Sequence, residues 1–401
     1  RQYEKTHQHL SFTPDLGRGG AKLWISLGEC QSKCEHIARV PMRPDAAGRL
    51  NMLCMAKGVL ATTAMEGNTL SEEETLKLLT GELSLPPSRQ YLATEIDNVV
   101  SACKRLQLAQ INQPDSLKLT SDLAKALNRE VLSGLELGAD VEPGVVRRYS
   151  VVVDHHLGAP NEDCQYLLDR LCDWLSGEEF SAPSPFEIVY ALVKAIIAHL
   201  YIAWICPFGD GNGRTARLLE FAILVDAGVP AASAHLLSNH YALTRSAYYR
   251  GLERASQSGG DILPFLQYAV EGFRDGLNDQ MESVWRQQHE LIWRNFVHDH
   301  FRNSGQTATG MRRRRLVLGL SRSSGPVPRS ELRELSPRIA QTYASRGDRT
   351  LARDLSVLLA SKLIVRTEGG YRANREVIQA FVTHGTPGAS TASSAPSASG
   401  N

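Results

Sequence analysis

One stretch limits the choice of fold more than any other: the apolar run FEIVYALVKAIIAHLYIAWI, Phe186 to Ile205, followed at once by a glycine-rich segment. The run predicts a central, largely buried helix. Ser184–Glu187 reads as a capping box with proline at the first helical position. A second helix is predicted to begin near Asn212 and to end at Gly228. The glycine-rich segment is therefore expected to be a loop between two buried helices.

Helical periodicity dominates the rest of the chain, so the expected fold class is mainly α. The chain has 401 residues, of which 42% are apolar, and this is enough for two or three domains with sizeable cores. Lys and Arg number 44 against 43 Asp and Glu, so overall charge requires neither nucleic acid nor a membrane surface as partner. Scattered cysteines indicate reduced thiols, and we find no signal peptide or membrane span. A cytoplasmic location is the expectation.

Changes of pattern along the chain predict its domain organisation. An N-terminal region is expected over residues 1–90, a helical core over 91–285 and a helical linker over 286–310. Within the core, Asp261 is the expected cap of a later helix. Residues 311–382 predict a small three-helix domain with a β-wing, formed by Leu363–Thr367 and Tyr371–Ala373 across a Glu-Gly-Gly turn. The tail, 383–401, is too poor in apolar side chains to repay the entropy of ordering.

The glycine-rich segment GDGNG has the composition of an anion-binding loop. Glycines allow backbone amides to approach an anion closely, and the N-terminus of the following helix favours negative charge. Arg214 and Arg217 lie three residues apart, on one face of that helix, where both can bind phosphate oxygens. Asp210 supplies a hard oxygen ligand for Mg²⁺. The alternative is a tight turn with surface arginines; the combination of all these features favours the phosphate site.

Cys206–Arg217 resembles the signature of the Fic family, HxFx(D/E)GNGRxxR, at every position but the first. The likeness extends over about residues 50–280, and His199, Tyr248 and Tyr249 lie where related chains commonly have His and Tyr. It implies a Fic-type helical core that binds ATP and Mg²⁺ and transfers AMP from ATP to the hydroxyl of a target protein.

The resemblance also implies roles for individual residues. Asp210 is expected to hold Mg²⁺, and Asn212 with the amides of Gly211 and Gly213 to cradle phosphates. Arg214 is expected to brace the loop and contact phosphate, and Arg217 to reach the γ-phosphate. Phe208 is the expected apolar anchor of the loop.

RRYSVVVDHHLGAP, Arg147 to Pro160, resembles the flap of the family, a β-hairpin on which the target segment docks as an added strand. Val151, Val152 and Val153 are the expected docking strand.

TTAMEGN, Thr62 to Asn68, resembles the inhibitory motif of the family, [ST]xxxE[GN]. Glu66 is its glutamate, placed on the last turn of a helix predicted over about 51–68. In the family this glutamate pairs with the second arginine of the signature, here Arg217. A carboxylate in that position occupies the donor that the triphosphate needs. The resemblance therefore implies an autoinhibited enzyme, although alone Glu66 could be a solvated residue before a turn.

Cys206 stands where the family has a histidine that acts as general base. A helix N-terminus and two arginines could lower the pKa of its thiol. Three functional interpretations stay open: Cys206 as a weak base, a catalytically silent nucleotide-binding protein, and Cys206 as a nucleophile paired with His155 or His156. The fourth is a small buried side chain without a catalytic role.

The C-terminal segment resembles a winged helix-turn-helix. Arg349, Thr350 and Arg353 are expected on the exposed face of its recognition helix, with Arg312–Arg315 adding phosphate contacts. Winged helices also serve as docking or dimerisation modules, so DNA, a protein and a second copy of the chain all remain candidate partners. The second candidate function is accordingly a DNA-binding regulator that senses a nucleotide.

Overall fold

The structure is a computed structural model that describes residues 1–113, 117–153, 156–303 and 307–379. The expected disordered tail lies outside these residues, as does His155. The chain divides into two compact units, Arg1–Val284 and Trp285–Asn401. As predicted, it is mainly helical with small two-stranded antiparallel sheets.

The first unit contains the helices α1 Tyr3–Thr6, α2 Gly20–Arg39, α3 Pro44–Ala64, α4 Glu72–Leu79, α5 Gln90–Asn112, α6 Ser121–Val131, α7 Asn161–Leu175, α8 Glu187–Ile205, α9 Asn212–Asp226, α10 Ala231–Ala234, α11 Leu236–Leu243 and α12 Arg245–Gln257. The division between the units falls within α13, Leu263–His300. One hairpin, β1 Val152–Val153 and β2 His156–Leu157, pairs Val152 with Leu157. Asp261 Oδ1 accepts a hydrogen bond from Leu263 at the start of α13, 3.3 Å away.

The core of the first unit is built around α8 and α9, as the apolar pattern predicts. Most side chains of both helices are buried. α2, α7 and α12 pack on α8, while α3, α5, α6 and α10 pack on α9. Gly228, in the left-handed conformation at φ 85°, follows α9 as predicted, and Val229 donates to the Leu224 carbonyl. The loop between α8 and α9 is thus held by two buried helices.

Three expectations about this unit were wrong. No capping box precedes α8: Phe186 is the N-cap, without a side-chain cap, because Pro185 lies in a turn that Phe186 closes onto Pro183. α3 begins at Pro44 and ends at Ala64, so Glu66 lies in the turn after the helix. Contrary to our expectation, Glu187–Ile205 is long and apolar enough to cross a membrane by length and composition alone, but 83% of its most apolar 18-residue window is buried inside the protein.

The second unit continues with α14 Ala308–Leu320, α15 Pro337–Tyr343, α16 Asp348–Ala360, β3 Ile364–Thr367 and β4 Gly370–Ala373. Its core joins the three helices to β3 and to Trp293, Val297 and Phe301. The two strands form the predicted hairpin, with Thr367 opposite Gly370.

The basic cluster of the second unit is in part structural. Arg312 is buried and Arg313 half-buried, and both form ion pairs with buried Asp354, at 2.6 and 2.8 Å. Arg315 donates to Thr342. The prediction that Arg312–Arg315 contact phosphate is wrong for Arg312 and Arg313, because a buried carboxylate needs their guanidinium groups.

Candidate active site

The loop between α8 and α9 lines a cavity of about 580 Å³. One side is formed by the loop residues from Gly209 to Gly213, and another by Val151 and Val152 at the start of the β1–β2 hairpin. The remaining wall carries Tyr248, Tyr249 and polar side chains of α12. A cavity of this volume is in the range that holds a nucleotide-sized ligand. Glu66, Cys206 and Arg217 also line it.

The loop is shaped by its own side chains. Asn212 spans it, accepting from the Phe208 N–H at 2.9 Å and donating to the Phe208 carbonyl at 2.8 Å. Gly211 adopts φ 74° at the N-cap of α9, so the first amides of the helix border the cavity. Phe208 itself is 1% exposed and anchors the loop in the core. The arrangement is that of an anion-binding helix N-terminus.

The two arginines of α9 have different partners. Arg214 does not line the cavity; it contacts Glu95 at 3.0 Å and Asp210 at 3.3 Å, and so braces the loop from behind. Arg217 is 2% exposed, donates to the Thr62 carbonyl at 2.9 Å and pairs with Glu66. Its buried Nε has no hydrogen-bond partner among the described residues.

Glu66 reaches into the cavity from the turn after α3. Its side chain is 32% exposed, and its Oε1 accepts from Arg217. Although burial acts in the opposite direction, the Arg217 guanidinium holds the pKa of Glu66 below its usual value. A Cβ at Gly213 would lie 2.2 Å from Glu66 Oε1. The glycine therefore lets the carboxylate rest against the loop, where phosphates would bind.

Asp210 is suited to a divalent cation that is shared with a ligand. Its side chain is 48% exposed, and Oδ1 is held by the Gly211 N–H and Arg214. Within the described residues no group of three His, Cys, Asp or Glu is placed to hold a metal ion. Mg²⁺ is commonly bound by one carboxylate together with substrate phosphates and water. Asp210 fits that mode.

Cys206 does not have the environment predicted for a thiolate. It lies at the C-terminus of α8 rather than at a helix N-terminus, with φ 46°, and its Sγ donates to the Ala203 carbonyl at 3.0 Å. Burial raises the pKa of this thiol to about 12, although Arg147 acts in the opposite direction. The expectation that nearby arginines lower this pKa was wrong, because Arg214 and Arg217 are occupied by carboxylates. The thiol is protonated at neutral pH.

Further contacts of the site were missed by sequence reasoning. Arg147 Nε donates to the Cys206 carbonyl, and its Nη2 donates to the Ala159 carbonyl, both at 2.6 Å, which ties the flap segment to the loop. Asn128 donates to the Asp210 carbonyl at 2.9 Å. Glu95 holds Arg214. Arg147 stood in a segment already singled out, whereas no local pattern marked Asn128 or Glu95.

Behind the cavity, the sequence-predicted His199 and Tyr248 form a buried polar cluster. His199 Nε2 lies 2.8 Å from the Tyr248 hydroxyl, and His199 Nδ1 lies 3.1 Å from Glu220. Tyr241 donates to the other oxygen of Glu220 at 3.0 Å. Burial raises the pKa of Tyr248, so the hydroxyl is protonated. The cluster packs α12 against α8 and α9.

Known proteins resemble this chain in both sequence and fold. A model of the Fic/DOC family matches residues 118–224. The chain is 30% identical over 209 residues to a "Protein adenylyltransferase Fic" of Nematostella vectensis, covering 52% of this chain and 44% of that protein. It is 31% identical over 216 residues to "Protein adenylyltransferase fic-1" of Caenorhabditis briggsae, covering 53% and 38%. The chain thus spans less than half of these relatives.

Solved structures show the same fold. A Fic family protein from Desulfovibrio desulfuricans superposes with a TM-score of 0.54 at 19% identity, covering 88% of this chain and 96% of that chain. Residues 134–508 of Fic-1 from C. elegans give a TM-score of 0.53 at 23% identity, covering 66% and 73%. Residues 118–224 of this chain, which contain the glycine-rich loop and most of α9, therefore form a Fic/DOC domain.

Proposed function

We propose that this chain is a Fic-type protein adenylyltransferase that is held inactive by Glu66. The observation that carries the proposal is the pairing of Arg217 with Glu66 in the wall of a cavity bounded by an anion-binding loop. The loop amides, and the Arg217 guanidinium once Glu66 is displaced from it, suit the phosphates of ATP. Asp210 would hold Mg²⁺, which neutralises charge on the phosphates when bound. The relatives named adenylyltransferases support ATP as substrate and a protein as target.

In the proposed reaction, a hydroxyl oxygen of the target protein attacks the α-phosphorus of ATP. The bond from that phosphorus to the bridging oxygen breaks, AMP becomes attached to the target, and pyrophosphate leaves. Val151 and Val152 lie at the cavity edge, and Val152 is 62% exposed, so an extended segment could pair with β1. The protonated Cys206 thiol cannot take the hydroxyl proton, which passes to water instead. Transfer is therefore slow.

Glu66→Gly tests the proposal. We expect self-labelling from α-labelled ATP and Mg²⁺ to rise about tenfold to a hundredfold, because the N–H donors of Arg217 that Glu66 occupied become free to bind the triphosphate. Glu82→Gly, which removes an exposed glutamate after α4, is the matched control and should leave labelling unchanged. Arg217→Ala should abolish the labelling of the Glu66→Gly protein. Absence of labelling in Glu66→Gly, with and without Cys206→His, would reject adenylyl transfer.

A second candidate function, DNA binding by the second unit, is supported by one observation. Arg349 and Arg353 are exposed on α16, one turn apart, and α16 is followed by the β3–β4 hairpin. Thr350 is only half exposed. An exposed basic helix face beside a hairpin is the arrangement by which a winged helix contacts DNA.

A further inference from the structure

Gly58, in the middle of α3, lies directly against His235, the residue that joins α10 to α11. Gly58 is buried, and a Cβ built on it would lie 2.2 Å from His235 Cγ and 2.4 Å from both His235 Cβ and Nδ1. Rotation of the imidazole would not relieve the clash with His235 Cβ, because this atom is bonded to the backbone and does not move when the side chain rotates. Only glycine fits at this position without a shift of α3 or of His235.

His235 is itself fixed against the helix that carries Arg217. It is 4% exposed, directly precedes α11, and stacks on Phe221 with ring centroids 4.6 Å apart. Phe221 lies four residues after Arg217 on α9, so both side chains are on the same face of that helix. α3 therefore contacts α9 at Arg217 and, through His235, at Phe221.

Two contacts of α3, four residues apart, are followed by the contact of Glu66 in the turn after the helix. Gly58 rests on His235; the Thr62 carbonyl accepts from Arg217 at 2.9 Å; Glu66 accepts from the same Arg217. The Thr62 hydroxyl also donates to the Gly58 carbonyl at 2.9 Å. Since a helix rises about 1.5 Å per residue, Gly58 lies only about 9 Å along α3 from its last residue, Ala64, and Glu66 follows in the next turn.

We propose that the contact between Gly58 and His235, here called the glycine seat, determines how closely α3 packs against His235 and α9. This packing positions Glu66 on Arg217. This inference rests on the proposed function for its effect on catalysis. Gly58 is a positioning residue: it touches neither nucleotide nor target. A side chain at this position lifts α3 and releases Arg217 while Glu66 itself is intact.

Gly58→Ala tests the seat through hydrogen exchange in the full chain. We expect amide exchange in α3 to rise about tenfold or more, because one added methyl group overpacks the contact. Gly48→Ala is the matched control, since Gly48 is on the same helix with nothing within 4 Å of its added Cβ. Glu66→Gly should leave the protection of α3 near Gly58 unchanged. Equal exchange in Gly58→Ala and wild type would overturn the inference.

A second variant distinguishes a specific clash between position 58 and His235 from non-specific destabilisation of the fold. His235→Gly removes all three atoms that meet the added Cβ, so the Gly58→Ala/His235→Gly protein should regain the α3 protection of His235→Gly alone. If Gly58→Ala unfolds the whole unit, the comparison of α3 protection between the double variant and His235→Gly is the test of the seat. A double variant less protected than His235→Gly contradicts the seat.

The catalytic consequence is measured with α-labelled ATP and Mg²⁺ in the Cys206→His background. We expect Gly58→Ala to label like Glu66→Gly, and Gly58→Ala/His235→Gly to label less. Labelling by Glu66→Gly but not by Gly58→Ala rejects the seat and leaves the proposed function intact. Labelling by neither rejects the proposed function, and hydrogen exchange then decides on the seat alone.

Discussion

Cys206 lies at the opening of the loop and lines the cavity, yet its thiol is buried, protonated and bonded to the Ala203 carbonyl. This geometry argues against a thiolate base or nucleophile at this residue. His155 lies outside the described residues and only the backbone of His156 is described, so no base partner for the thiol is identified. A buried, inert thiol is the interpretation that the contacts favour.

Replacing Cys206 by His in the Glu66→Gly protein should raise the rate of self-labelling about 10²- to 10⁴-fold, the usual contribution of a general base. Histidine also tolerates the left-handed φ of 46° at this position better than most residues. Cys206→Ala is the control, and its labelling should stay within a few-fold of the Glu66→Gly protein. Loss of labelling in Cys206→Ala would show that the thiol takes part in the reaction.

At the level of elements, the packing of α3 on α11 depends on a neutral imidazole. Burial lowers the pKa of His235 from its usual 6.5 to about 4, and its Nε2 has no partner among the described residues. The unfolded chain therefore binds this proton more readily than the folded chain. The stabilisation from neutral His235 is complete above pH 6.5 and is lost as the pH falls toward 4.

We therefore expect the free energy of unfolding to fall by an amount on the order of 3 kcal/mol through His235 as the pH drops from 7 to below 4. His235→Phe keeps an aromatic ring beside Phe221 without a titrating group, so its pH dependence should be shallower. Denaturant titrations of both proteins from pH 7 to 4 measure the difference. Identical curves would contradict a neutral, buried His235.

At the level of the whole molecule, the chain divides into two compact units, and DNA binding is proposed for the second. If the second unit binds DNA through α16, Arg349→Ala/Arg353→Ala should lower the slope of log affinity against log salt by about two. Arg322→Ala/Arg329→Ala, which removes two exposed arginines elsewhere in the unit, is the matched control. Fluorescence anisotropy with a duplex of mixed sequence gives the measurement. No binding by the intact chain at low salt would favour a protein partner.

Elements whose signal lies within one short segment could be predicted from the amino-acid sequence. Apolar periodicity predicted α8 and α9, glycine composition predicted the loop between them, and turn residues predicted the β3–β4 hairpin, because each pattern lies within one continuous segment. Contacts between distant residues became visible only in the folded chain. Glu95 with Arg214, Arg312 with Asp354, and Gly58 with His235 leave no periodic trace, since each pair is far apart in the chain. The raised pKa of Cys206 likewise follows from burial of its thiol, while Arg214 and Arg217 are paired with carboxylates. Spacing along the chain reveals neither the burial nor the pairing.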